Sequence, residues 1–78
     1  MGNNEKVFLV VIHELMDGQN ALEITARESF ENASMVLYQV MASAIANANV
    51  KQTTCSIMTI DGYTIKTETF KRAEANAE

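Results

Sequence analysis

The chain reads as an α+β domain of order ββαββ: a four-stranded antiparallel sheet, strand order 2-1-3-4, with one helix packed on one face. Three observations predict it. Residues 21–28 alternate apolar and polar, the period of a half-wetted strand. Residues 30–48 carry apolar side chains at three- and four-residue spacings, the period of a helix. Asp61-Gly62 sits between two strand-like runs rich in threonine, a strong hairpin signal.

The elements follow in order. Residues 1–4 are polar and read as a tail. Val7 to Leu15 is an apolar run rich in β-branched residues, bounded by Asp17-Gly18-Gln19-Asn20, a turn cluster. It is apolar on both faces, with Leu9, Val11 and Leu15 on one and Phe8, Val10 and Ile12 on the other. A strand buried on both sides belongs inside a sheet. Ala21 to Glu28 forms the second strand, with Leu22, Ile24 and Ala26 expected to face the helix.

Ser29 can cap the helix, and Glu31 suits the positive end of its dipole. The helix is expected to run to about Asn47, with Asn49 as its stop. Phe30, Ala33, Leu37, Val40, Met41, Ala44 and Ala48 make its apolar stripe. Residues 51–60 and 63–70 form the second hairpin. A two-residue type I′ turn at Asp61-Gly62 would pair Ile60 with Tyr63 and Met58 with Ile65. The expected helix-side sheet face is Leu9, Val11, Leu22, Ile24, Met58 and Ile65. The ordered core spans about 5–70, and 71–78 reads as a second polar tail with room for a helical turn.

The 78 residues make one small domain. A chain of this size hides only about 60–65% of its unfolded surface, so such folds often lean on a metal, disulfides or an oligomer. Cys55 is the only cysteine and His13 the only histidine, which leaves too few ligands for a structural zinc. No cofactor is expected. A lone cysteine and a polar start without an export leader predict a cytoplasmic setting. Lys6 stands where an N-myristoylation motif wants Ser or Thr.

The net charge is −4, and the six basic residues are scattered. Nucleic acid is thereby an unfavoured partner for an acidic chain without a basic face. The uncharged stretch 32–50 approaches the length of a membrane span, but Asn32, Ser34, Gln39, Ser43, Asn47 and Asn49 would be costly in lipid.

Two features exceed what a self-contained monomer needs. One helix cannot cover both faces of the first strand, so Phe8, Val10 and Ile12 point to an apolar surface, joined in this register by Cys55, Ile57 and Phe70. The helix also lacks charge on its far side, which shows Met35, Tyr38, Gln39, Ala42, Ser43 and Ala46. The expected interaction surface is Phe8, Val10, Ile12, Ile57, Met35, Tyr38, Ala42 and Ala46. Its partner would be a second copy or another protein. This makes the leading expectation a non-enzymatic interaction module, a homo-oligomer such as a homodimer; a small adaptor or inhibitor fits as well.

Other chemistry is sparse. His13 and Glu14 are neighbours on a strand and point to opposite faces. His13 is expected on the helix side, as a buried neutral imidazole bonded to backbone or as a general base. Cys55, on the opposite face in this register, could not pair with it as a nucleophile. Asp17 and Asp61 are explained by turn geometry. Tyr63 is expected against the helix end. A small-ligand carrier remains an alternative, with Met35, Tyr38, Met41 and Tyr63 lining a pocket between subunits. An enzyme using His13 or Cys55 is the third.

The stretch from Thr25 to Thr59, with Ser29-Phe30-Glu31-Asn32-Ala33 opening the helix, resembles the start of dodecins. The resemblance covers less than half the chain and its motif is short. It implies a β-α-β-β architecture, flavin binding and assembly into hollow shells. This sequence adds an N-terminal strand and has no tryptophan, so the aromatic flavin platform of that family has no counterpart here.

Overall fold

The structure, a computed structural model, describes residues 6–73. The expected tail 1–4, residue 5 and residues 74–78, most of the stretch 71–78 in which a helical turn was expected, lie outside the described residues. Five elements follow one another: β1 (Val7–Leu15), β2 (Asn20–Arg27), α1 (Phe30–Ala46), β3 (Val50–Thr59) and β4 (Thr64–Lys71). The four strands form one antiparallel sheet of order β2-β1-β3-β4, with α1 on one face. The expected topology is the observed one.

Both hairpins turn through the same three-residue loop. The Gly18 N–H donates to the Leu15 carbonyl at 2.9 Å and the Leu15 N–H to the Gln19 carbonyl at 2.8 Å. Gly62 and Thr59 repeat the pattern with Thr59 and Tyr63, at 3.0 and 2.8 Å. The glycines carry the positive φ, +90° at Gly18 and +94° at Gly62, and no described non-glycine residue has one. A type I′ turn would need positive φ at Asp61 too. The two-residue turn expected there is therefore replaced by Ile60-Asp61-Gly62, closed by Thr59 and Tyr63. A bulge follows, so Met58 partners Thr64 and not Ile65, while Ile57 partners Lys66. Asp17 and Thr59 brace the loops, accepting from the backbone N–H of Gln19 and Tyr63.

Ser29 caps α1, its hydroxyl accepting from the Asn32 N–H at 3.1 Å. The helix ends at Ala46 with Asn47 as cap, short of the expected Asn49. Ala33, Leu37 and Ala44 are buried, and Val36, Val40 and Met41 pack beside them. They cover Val7, Leu9, Val11, Cys55 and Ile57. Phe30 lies at the exposed margin of the stripe.

The last turn of α1 holds no basic residue of its own. Arg72 supplies the charge from the other end of the chain. Its Nη2 donates to the carbonyls of Ala44, Ile45 and Asn47 at 3.1, 3.1 and 2.9 Å. Its Nε donates to the Val50 carbonyl at 2.9 Å, and its guanidinium lies over the Phe70 ring at 5.0 Å. A cation there answers the negative end of the helix dipole and satisfies carbonyls that the helix leaves open. The expected tail from residue 71 is thus corrected: β4 continues through Lys71, and Arg72 ties β4 to α1. Arg72→Ala should destabilise the fold by about 2 kcal/mol, on the scale of hydrogen bonds to charged groups. Urea unfolding of the two proteins measures it.

Candidate functional site

The register decides which side chains share the uncovered face of the sheet. Leu9 partners Thr25 and Ile57, Val11 partners Glu23 and Cys55, and these rows lie under the helix or beside it. Phe8 partners Ala26 and Met58, Val10 partners Ile24 and Ser56, and Ile12 partners Leu22 and Thr54. Directly paired residues share a face. The open face therefore gathers Phe8, Val10, Ile12, Leu22, Ile24, Ala26 and Met58, with Ile65 in the bulge beside Met58.

Here the expected faces are corrected. Leu22, Ile24, Met58 and Ile65 do not meet the helix; they belong to the open side. Leu22 is 63% exposed and Ile24 58%. Glu23, Thr25 and Arg27 occupy the helix side of β2, where α1 lies chiefly over β3 and leaves this edge strand largely uncovered. Cys55, Ile57 and Phe70 were expected on the open face and lie on the helix side; Phe70 partners Thr53, and Cys55 and Ile57 are fully buried. The three-residue Met16-Asp17-Gly18 loop sets the faces of β2, placing Leu9 opposite Thr25, and the β1–β3 register sets those of β3, placing Leu9 opposite Ile57.

The middle of the open face is uncharged. Beyond the apolar side chains it shows hydroxyls: Thr54, Ser56, Thr67 and Thr69, with Ser56 and Thr67 Oγ atoms 3.3 Å apart. Glu14 stands at one end, 3.9 Å from Lys51.

The expected interaction surface divides accordingly. Phe8, Val10 and Ile12 lie together on the open face. Ile57 is removed from it, since nothing of that side chain reaches solvent. Met35, Tyr38, Ala42 and Ala46 are exposed, but on the outer side of α1, across the whole thickness of the domain. That flank is not as bare as its own sequence suggests. Lys66 from β4 reaches over the Tyr38 ring, Nζ 5.4 Å from the centroid, inside the range of a cation–π contact.

His13 is half-buried on the helix side, opposite Ala21 and not Leu22 or Ile24. Its Nδ1 is 2.7 Å from Oγ1 of Thr53, a fully buried hydroxyl, so its partner is a side chain and not the backbone. It lines an open cleft of about 440 Å³ with Leu15, Val50, Gln39, Ser43 and Asn47. Cys55 shares the face of His13, against expectation, as the diagonal neighbour of the Thr53–His13 pair. The two do not engage: the Cys55 thiol is 3.5 Å from the Met41 sulfur, and burial raises its pKa to about 11. A thiol that stays protonated at neutral pH is a poor nucleophile.

The four residues proposed to line a ligand pocket do not meet within one chain. Met41 packs on the core, Met35 and Tyr38 stand outside α1, and Tyr63 is 72% exposed at the hairpin tip, away from the expected place against the helix end. Tyr63 lines a shallow hollow with Ile60 and Lys6. Among the described residues no group of three His, Cys, Asp or Glu could hold a metal ion, and no helix is long and apolar enough to cross a membrane.

Comparison of the chain with protein-family models, with curated proteins and with solved structures found no match. The resemblance to dodecins has no support in these comparisons.

The buried thiol gives a measurable consequence. Its pKa is raised, so folding favours the protonated form; that contribution is complete below the unfolded value near 9 and fades as pH rises toward 11. Stability should fall across that window in wild type and less so in Cys55→Ala. A disulfide-exchange reagent at pH 8 should label Cys55 only at the rate of unfolding.

Proposed function

We propose that this protein is a non-enzymatic interaction module that self-associates through the open face of its sheet. One observation carries the proposal: the apolar half of an alternating edge strand, Leu22, Ile24 and Ala26, joins Phe8, Val10 and Ile12 on the face that the helix does not cover. The helix covers little of either side of this edge strand, so its apolar side chains stand in the open beside those of β1.

Eight residues at about 3.3 Å and four strands at about 4.8 Å make a plane of roughly 500 Å², apolar over β1 and β2 and carrying hydroxyls over much of β3 and β4. A standard interface takes about 800 Å² of accessible surface from each partner, so the contact would be a small one. Two such faces stacked about 10 Å apart would interdigitate as the layers of a sandwich do.

A second copy suits the face better than an unlike partner of opposite charge. A twofold interface sets each patch against itself, so like charges would meet. The chain is acidic, yet among the described carboxylates Asp17, Glu23, Glu31, Asp61 and Glu68 lie in loops or on the helix side, and Glu14 and Glu28 stand at the ends of β1 and β2. The middle of the open face, where self-contact would make carboxylates repel, holds none. The outer flank of α1, answered by Lys66, serves as solvated surface. A ligand-carrier role would use the cleft beside His13, whose lining is open and draws on none of the residues first expected to form a pocket.

Sedimentation velocity on the intact chain should give at least twice the monomer mass at micromolar concentration. Ile12→Lys places a charge at the centre of the face at a half-exposed position. It should halve the assembled mass while circular dichroism and cooperative unfolding persist. A wild-type chain that stays monomeric at high concentration overturns the proposal.

A further inference from the structure

The sheet has two edges, β2 and β4, and the chain treats them differently. Unpaired strand edges invite pairing with other chains, and proteins blunt them with lysines, prolines, bulges or covering segments. β4 has such devices. It carries Lys66 and Lys71, it is bulged opposite Ile57 and Met58, and its end is tied to the helix through Arg72. β2 has fewer. Its charges, Glu23 and Arg27, lie on the helix side, and Arg27 ties only its last residue to Asn32 of α1; its eight residues, Asn20–Arg27, contain no lysine or proline and pair with β1 in unbroken register.

The atoms presented by that edge can be assigned. The Leu15 N–H donates to the Gln19 carbonyl, so this pair is a hydrogen-bonded one. Bonded pairs alternate along an antiparallel ladder. Ala21, Glu23, Thr25 and Arg27 therefore exchange bonds with β1, which leaves the N–H and C=O groups of Leu22, Ile24 and Ala26 pointing outward.

We infer that this edge pairs antiparallel with β2 of a second copy, joining two sheets into one of eight strands. Charge and side-chain pairing select the register. An axis through Glu23 would set two carboxylates opposite one another, which is unfavourable. An axis through Ile24 pairs Ile24 with itself and Leu22 with the partner's Ala26, all on the open face. On the other face Glu23 then lies opposite the partner's Thr25, with the partner's Arg27 and the partner's Glu23 on its two diagonals and no carboxylates directly opposed. That register uses the strand from Ala21 to Arg27. An axis through Thr25 would oppose Glu23 and Arg27 directly but shorten the ladder.

This contact goes beyond the face-to-face association and uses different atoms, backbone groups in place of apolar side chains. Together the two contacts close into a tetramer, two eight-stranded sheets stacked through their apolar faces, with twofold symmetry at each interface.

Residue-resolved amide exchange on the intact chain tests the edge. The amides of Leu22, Ile24 and Ala26 should exchange roughly tenfold or more slowly in concentrated samples than on dilution, because a bonded amide exchanges only when the contact opens. Thr25→Glu, on the helix side and away from the open face, sets a carboxylate opposite the partner's Glu23 and should reduce the tetramer to a face-paired dimer. If these amides exchange freely in a sample that sediments as a dimer sensitive to Ile12→Lys, the edge contact is refuted and the face contact stands. If they are protected in an assembly indifferent to Ile12→Lys, the edge contact stands and the face contact is refuted. A monomer refutes both.

Discussion

One helix must serve a sheet whose central strand is apolar on both sides, and this imbalance governs the rest of the molecule. Val7, Leu9 and Val11 take the whole of the shelter that α1 offers. Phe8, Val10 and Ile12, one residue out of phase, must lie on the other side, because successive side chains of a strand alternate. No adjustment within the described chain supplies a second layer. That face is therefore left without a second layer among the described residues, and the proposed association would add to the limited surface that a small domain hides by itself.

The polar groups are arranged to keep the two faces distinct. On the helix side a buried hydroxyl, Thr53, is satisfied by His13, and the Cys55 thiol by Met41. Among the described residues no buried side-chain nitrogen or oxygen lacks a hydrogen-bond partner. Arg27 Nε donates to Asn32 at 2.8 Å and fastens the end of β2 to the start of α1, while Arg72 fastens β4 to its end. The helix is held at both termini by arginines from the two outer strands. The open face has no such network: it offers apolar groups and hydroxyls that a neutral partner surface can meet without stranding a charge.

Much of this was legible in the residues. Element order, strand order and the helix limits follow from periodicity, from Ser29 as a cap and from β1 being apolar throughout. The faces of β2 did not follow. Alternation divides Leu22, Ile24 and Ala26 from Glu23, Thr25 and Arg27, but it cannot say which set lies beneath the helix; that depends on loop length. Asp61-Gly62 suggested a two-residue turn and Asp17-Gly18-Gln19-Asn20 a turn cluster, whereas the glycines alone carry positive φ and each loop takes in the residue before aspartate. One residue more in a loop reverses the facing of a whole strand. The four carbonyl contacts of Arg72 were equally invisible, since the helix end and Arg72 are joined only by the folded sheet.

Pairing of the open faces is tested most directly by nuclear Overhauser contacts in a sample mixing isotope-labelled and unlabelled chains, recorded so that only contacts between copies appear. The account predicts cross-copy contacts among the methyls of Val10, Ile12 and Leu22 and the ring of Phe8, with none from Leu37 or Ile57, which are buried within each chain. An absence of cross-copy contacts from the open face, in a sample where those methyls exchange magnetisation with water, would contradict it.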